Sequence, residues 1–287
     1  MIKKMFLAVL AIGIFATSCS NDDENGSTTA SLTLDLNGLE TLGSEYVYEG
    51  WVIVDGIPVS TGTFSSITFP QSFSIDAAQL ASATRFVLSI EPANDPDPAP
   101  ADTKVLVGDF SGNKADVNTD IVGDFSIASG AFFLRSPTDE IGVNNGNDHY
   151  GVWFGTPGMP PVPNFMLPTL PAGWAYEGWV VGESGPITTG TFTAFDMRDS
   201  FDDFSETEQP GPPIPGEDFF LNQPAGETFP LDVRGRTVVV SVEPVPDDSP
   251  APFVMKPLVG TAGQDTAPAT HSFGQNLGSL PWGEVTR

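Results

Sequence analysis

Cysteine, histidine and basic residues are scarce in this sequence. Its 287 residues include 1 cysteine, 2 histidines and 11 lysines or arginines, against 37 aspartates or glutamates. One cysteine cannot form a disulfide within the chain, and so few sulfur and nitrogen ligands cannot build a structural zinc site, which needs about four. The net charge of −26 repels nucleic acid phosphates. We therefore expect no structural zinc and no nucleic-acid partner.

The chain also lacks the short motifs that mark common active sites. It has no Gly-x-Ser-x-Gly elbow, no His-Glu-x-x-His zinc motif and no glycine-rich phosphate loop. The histidines, His149 and His271, lie in polar loop segments. We expect no catalytic activity and no cofactor. A carboxylate pair of the glycosidase type is the alternative with least support.

Proline, glycine and apolar residues are abundant. The sequence has 27 prolines and 30 glycines, and 40% of its residues are hydrophobic. That composition provides for a core and favours many short strands joined by turns over long helices. It predicts an all-β fold.

An internal repeat is the most informative feature. Tyr48–Val52 and Thr61–Phe64 recur 128 residues later, as Tyr176–Val180 and Thr189–Phe192. A second block recurs at an offset of 152, in which Phe86–Pro92 matches Val238–Pro244, and Lys104–Gly108 matches Lys256–Gly260. Between these two parts of the second block, each copy carries an acidic, proline-rich stretch, at residues 95–100 and 247–252. The chain therefore carries two copies of one module.

The repeated blocks have the residue pattern of β-strands. Residues 46–54 and 59–64 predict a hairpin, Pro92 and Pro244 end a second strand, and residues 76–80 predict one helical turn. Two further strands are expected at residues 130–134 and 150–154. The prediction is two tandem β-sandwich domains of similar topology, at residues 31–120 and 121–287, with an acidic insertion near 198–223 in the second.

The N-terminus has the pattern of an export signal. Residues 1–18 combine Lys3 and Lys4 with an apolar run too short to span a bilayer, and read as a signal peptide. Cys19 follows small residues, as in a lipobox, where the cysteine is acylated. Residues 19–30 read as a flexible acidic tether, and their acidic cluster resembles the surface-export signal of Bacteroidetes lipoproteins. We expect an exported protein anchored in the membrane through lipidated Cys19, in the outer membrane or at the cell surface. The alternative is an ordinary secretory signal with an unmodified cysteine.

The repeated blocks resemble the extracytoplasmic C-terminal domain of the anti-sigma-K-factor family. That domain has an aromatic strand with Trp, a Pro-x-x-x-Gly-x-Phe hairpin, and a Val-Ser-Val-Glu-Pro strand before a Ser-Pro-Ala-Pro loop. Here these are residues 48–64 with 86–100, and 176–192 with 238–252. The resemblance implies a sensor-side module. The family's cytoplasmic sigma-binding domain and transmembrane helix have no counterpart here, so no direct contact with a cytoplasmic sigma factor is expected.

Charged residues that recur in both copies are the main candidate site residues. They are Glu49 and Glu177, Glu91 and Glu243, and Lys104 and Lys256. Half-buried Lys–Glu pairs would explain them, because charges near a core are usually paired. Oxygen-rich loops offer weaker calcium candidates, since calcium prefers oxygen ligands; these are Asp139, Asn145, Asp148, Asp202 and Asp203.

These observations lead to two main functional hypotheses. The first is a non-catalytic cell-envelope lipoprotein whose duplicated modules bind or sense an unknown protein or glycan ligand. The second is a structural or adhesive surface protein that calcium stabilises. The sequence alone does not identify the partner.

Overall fold

The computed structural model describes residues 28–140, 146–247 and 249–287. Strands account for 41% of it and helices for 6%, which confirms the all-β prediction. The sole α-helix of these ranges, α1, is Ala77–Ser82, and the Asp76 side chain caps it. The strands are β1 (Thr29–Asn37), β2 (Tyr46–Val54), β3 (Ile57–Phe64), β4 (Gln71–Asp76), β5 (Arg85–Pro92), β6 (Lys104–Asp109), β7 (Lys114–Val117), β8 (Ala131–Leu134), β9 (Gly151–Phe154), β10 (Trp174–Val181), β11 (Pro186–Phe192), β12 (Gly216–Asp218), β13 (Thr237–Pro244), β14 (Leu258–Thr261), β15 (His271–Ser272), β16 (Gly274–Gln275) and β17 (Trp282–Thr286).

The predicted hairpins and strands are present. β2 and β3 form the expected hairpin, β5 and β13 end at their prolines, and β8 pairs with β9. α1 occupies the predicted helical turn. Cys19, the signal peptide, all of the tether before Thr28, and Asn145 lie outside the described residues.

The described residues form four antiparallel sheets, two for each repeat. Repeat 1, the part built around β1–β7, has the sheets β4-β1-β17-β7 and β3-β2-β5-β6. Repeat 2, built around β8–β16, has the sheets β12-β9-β8-β15 and β11-β10-β13-β14-β16. The β3-β2-β5-β6 order of repeat 1 is matched by β11-β10-β13-β14, and the register shifts after Gly50 in one copy and after Gly178 in the other. The duplication therefore extends to the register and its irregularities.

The last strand of the chain belongs to the first repeat. β17 lies between β1 and β7, with Thr33 opposite Thr286 and Val117 opposite Gly283. The sheet β4-β1-β17-β7 of repeat 1 corresponds to the sheet β12-β9-β8-β15 of repeat 2. In this alignment β17 occupies the position of β8. Sequence order assigned residues 282–286 to the second module, because β17 has no repeated motif that ties it to β1.

The acidic insertion predicted near residues 198–223 contains a strand that belongs to a sheet of repeat 2. Its strand β12 forms the edge of a sheet, with Gly216 opposite Trp153 of β9. It is therefore part of repeat 2 and not an appended loop.

Alternating apolar residues fill one continuous core. On β1 the buried residues are Leu32, Leu34 and Leu36, as expected for a strand with one covered face. The same cluster runs through both repeats and includes residues as far apart as Tyr48, Tyr176 and Val285. Helices among the described residues are too short and too polar to span a membrane.

Candidate functional site

A cleft between the two repeats is the candidate binding site. It has a volume of about 510 Å³, within the range of about 300–1,000 Å³ that is usual for small-molecule pockets. Repeat 1 contributes the β1–β2 loop, the end of β5 and the segment before β6. Repeat 2 contributes the end of β13 and the acidic, proline-rich loop that follows it. We call this cavity the inter-repeat cleft.

A repeated hydrogen-bond chain holds the segments that follow β5 and β13, and both segments contribute residues to the cleft. In repeat 1 the Trp51 Nε1–H donates to Ser89 Oγ at 2.8 Å, and the Ser89 hydroxyl donates to Glu91 Oε1. Glu91 Oε1 in turn accepts from the backbone N–H of Ala101 at 2.8 Å. We call these three side chains the Trp–Ser–Glu relay of repeat 1.

Repeat 2 has the same relay. The Trp179 Nε1–H donates to Ser241 Oγ at 2.8 Å, and the Ser241 hydroxyl donates to Glu243. Both Glu243 carboxyl oxygens accept from the Phe253 backbone N–H at 3.0 Å. Ala101 and Phe253 both line the inter-repeat cleft, so the two relays fix two points of its wall.

The relay side chains are buried. Ser89, Ser241 and Glu243 are 0% exposed and Glu91 is 1% exposed. Burial raises the pKa of Glu91, and it raises the pKa of Glu243 to about 8, against hydrogen bonds that favour the charged form. Glu243 therefore holds its loop largely as a neutral acid at pH 7.

The walls also join the two repeats directly. The Val254 backbone N–H of repeat 2 acts on the Glu40 carboxyl group of repeat 1 and lowers its pKa, although burial raises that pKa by more. Gly173 has a φ of +86° and leaves no room for a side chain, since a Cβ there would lie 2.7 Å from the Asp102 carbonyl carbon. The repeats are therefore in close backbone contact beside the cleft.

The predicted Lys–Glu pairs are not formed, which corrects the expectation from sequence. None of the ion pairs among residues 28–140, 146–247 and 249–287 includes Lys104 or Lys256. Lys104 Nζ donates instead to the Ala101 carbonyl at 2.8 Å. The pKa of Lys256 is lowered because burial outweighs the attraction of Glu40 and Glu243. Glu91 and Glu243 accept hydrogen bonds from loop N–H groups and serines instead of from an ammonium group, and Glu91 does so through Oε1 alone.

The other repeated pair, Glu49 and Glu177, accepts hydrogen bonds from the neighbouring strand. Ser60 donates to Glu49, and Thr188 donates to Glu177 at the equivalent position. Burial raises the pKa of Glu177 to about 7. These two residues do not line the cleft.

The calcium candidates do not converge. In the described part of the chain no group of three or more acidic, histidine or cysteine side chains is arranged to hold a metal ion. Asp202 and Asp203 are exposed, and Asp148 accepts a hydrogen bond from the Ser136 backbone N–H. Asn147 donates to Asp139.

A second cavity, of about 600 Å³, lies beneath the insertion. Its lining is mainly polar and includes Arg198, Asp199, Asp202 and Gln209 beside Trp153. Behind it, Glu217 and Asp218 are 0% exposed, and burial raises the pKa of Glu217 to about 9 and of Asp218 to about 7. Apolar walls with a few polar groups are more typical of ligand sites than this polar lining, so the inter-repeat cleft is the stronger candidate.

Sequence reasoning missed the serines of the two relays and some residues that line the cleft. Ser89 and Ser241 recur two residues before each repeated glutamate, and that spacing on one strand face was the available signal. Glu40 lies in the β1–β2 loop and Tyr46 begins β2; neither belongs to a repeated motif, so only the fold reveals that they line the cleft.

Comparison with protein-family models, with curated proteins and with solved structures found no match to this chain.

Proposed function

We propose that this chain is a non-catalytic binding protein of the cell envelope, and that its ligand occupies the inter-repeat cleft. The supporting observation is the cleft itself, whose walls come from both repeats and are fixed by the two Trp–Ser–Glu relays. Sites of this kind concentrate where two structural units meet. The serine hydroxyls and glutamate carboxyls of the relays hydrogen-bond to each other and to the loop backbone. This supports a structural role for them and not a role as nucleophile or base.

Two further parts of the proposal rest on the sequence. The leader and Cys19 support an exported lipoprotein, held by acyl chains at the outer membrane or the cell surface. The repeated motifs support a relationship to the sensor-side module of the anti-sigma-K-factor family.

Fatty-acid labelling tests the location. We expect label on the wild type and none on the Cys19→Ala variant, with protease treatment of intact cells separating a surface protein from a periplasmic one. Equal labelling of both proteins would remove the lipoprotein proposal.

A fragment screen by NMR tests the cleft. We expect fragments that combine an apolar ring with one polar group to shift resonances of cleft residues, and Thr41→Trp, which fills the cleft from an exposed position, to abolish those shifts. Ser65→Trp, also exposed but outside the cleft, is the matched control. Chemical turnover of a bound compound, or binding that Thr41→Trp leaves intact, would contradict the proposal.

A further inference from the structure

The lining of the inter-repeat cleft carries charge of one sign. Repeat 1 contributes Glu40 and Asp102, and repeat 2 contributes the exposed Asp247, while Glu243 is buried and largely neutral. No lysine, arginine or histidine is among the described lining residues. Both walls therefore present acidic groups to whatever occupies the space between them.

The nearest lysines, Lys104 and Lys256, are not lining residues of the cleft. Lys104 lies outside the lining and donates to the Ala101 carbonyl. Lys256 is half-buried outside the lining, and its attraction to Glu40 is too weak to offset burial, since the pKa of Glu40 is still raised. The net charge of −26 adds a field of the same sign.

The rest of the lining is largely apolar. Leu42, Ile90 and Phe253 contribute hydrocarbon surface, as does the ring of Tyr46, and three prolines complete it: Pro92, Pro244 and Pro246. A small inorganic cation would leave this surface in contact with water. An apolar group that covers it gains about 25 cal/mol for each Å² removed from water.

We propose that the cleft binds an organic cation with an apolar body, specifically a peptide segment in which lysine or arginine adjoins a leucine-like side chain. This inference rests on the proposed function and names the chemistry of its ligand. The ammonium or guanidinium group is placed among the acids of the two walls, and the apolar side chain against Leu42 and Phe253.

Three matched peptides test the charge. Acetylated and amidated Leu-Lys-Leu, Leu-Ser-Leu and Leu-Glu-Leu are titrated into the whole protein, with cleft resonances followed by NMR. We expect Leu-Lys-Leu to bind most tightly and Leu-Glu-Leu least, with the preference shrinking at high salt because exposed charges are screened. Hexylamine, which has the charge and an apolar tail without peptide groups, separates a peptide ligand from a free amine.

Charge-removing variants locate the effect. The double variant Asp102→Asn, Asp247→Asn is expected to weaken Leu-Lys-Leu binding roughly three- to tenfold while leaving Leu-Ser-Leu binding unchanged. The control Asp196→Asn, Asp203→Asn removes two exposed charges that lie outside the cleft.

The outcomes separate the two proposals. Equal binding of the three peptides would leave the cleft as a binding site and overturn the cation assignment. Hexylamine binding as tight as that of Leu-Lys-Leu would overturn the peptide assignment and leave the cation. Failure of every probe and every screened fragment to shift a cleft resonance would overturn both proposals.

Discussion

The glycine of the repeated Glu-Gly-Trp motif leaves room for buried side chains that pack against it in each repeat. Gly50 and Gly178 lie on the inner faces of β2 and β10. A Cβ on Gly50 would lie 2.4 Å from Thr61 Oγ1 and 3.2 Å from the Phe86 ring. A Cβ on Gly178 would lie 2.2 Å from both Thr189 Oγ1 and the Phe154 ring. These neighbours are buried and cannot move aside.

Alanine at either glycine should therefore destabilise the protein. We expect Gly50→Ala and Gly178→Ala each to lower the free energy of unfolding by about 1–3 kcal/mol, because added volume in a packed core forces its neighbours apart. Urea unfolding measures the effect. Gly278→Ala is the control, since nothing lies within 4 Å of its Cβ position. Variants as stable as the control would show that the buried neighbours of these glycines can shift to accommodate a methyl group.

For single residues, the sequence identified the repeated glutamates as candidate site residues but did not identify their interaction partners. The repeated glutamates are candidates because both copies contain them, and three of the four, Glu91, Glu177 and Glu243, are buried. Their partners could not be read from the sequence, since a backbone N–H such as that of Ala101 or Phe253 has no sequence signature.

Strand β17 shows how the two repeats are tied together. Repeat 1 lacks a strand of its own at the position that β8 fills in repeat 2, and β17 fills it from the other end of the chain. The chain leaves repeat 1 after β7, forms repeat 2, and returns to complete the sheet. Repeat 1 therefore depends on residues that follow repeat 2 in sequence.

Removal of β17 should consequently damage repeat 1. We expect a truncation after Pro281 to lower the free energy of unfolding by at least about 3 kcal/mol, because it removes buried Val285 and leaves β1 and β7 without their partner. Thermal unfolding monitored by circular dichroism measures it. Trp282→Thr should be nearly neutral, since Trp282 is 59% exposed. A truncated protein with wild-type stability would show that β17 pairing is dispensable.

Local strands were predictable because each carries its own alternation and turn residues. The hairpin of β2 and β3, the proline-terminated β5 and β13, and the pair β8 and β9 all follow that rule. The pairing of β17 with β1 joins residues as far apart as Thr33 and Thr286, and no local pattern encodes it. The edge strand β12, only three residues long, was likewise hidden in an acidic, proline-rich segment.

At the scale of the whole molecule, buried carboxyl groups accumulate in repeat 2. Burial is the main cause of a raised pKa in five of them: Glu177, Asp199 and Asp218, each to about 7, Glu243 to about 8 and Glu217 to about 9. Glu217 and Asp218 are adjacent on β12, and the charges of Asp218 and Asp199 raise the pKa of Glu217 further. An acidic protein thus holds several of its acids neutral inside the fold.

This arrangement makes stability depend on pH. In the unfolded chain these groups ionise near pH 4, so unfolding releases protons at any pH between that value and the folded pKa. Each group's contribution is fully present below the unfolded pKa and is lost as the pH rises through the folded pKa. The slope is at most about 1.4 kcal/mol per pH unit for each group.

We therefore expect the urea midpoint to fall steadily from pH 5 to pH 9. The exposed acids whose pKa is lowered by a basic partner, such as Asp109 beside Arg85, act in the opposite direction and at lower pH, since their stabilisation is lost only as the pH falls through the folded pKa. Glu217→Gln should flatten the decline, because the amide is neutral at every pH and still offers an acceptor to Ser205. Glu208→Gln changes an exposed acid nearby and should retain the wild-type slope. A midpoint that stays level or rises over this range would show that the buried carboxyl groups are ionised in the folded protein.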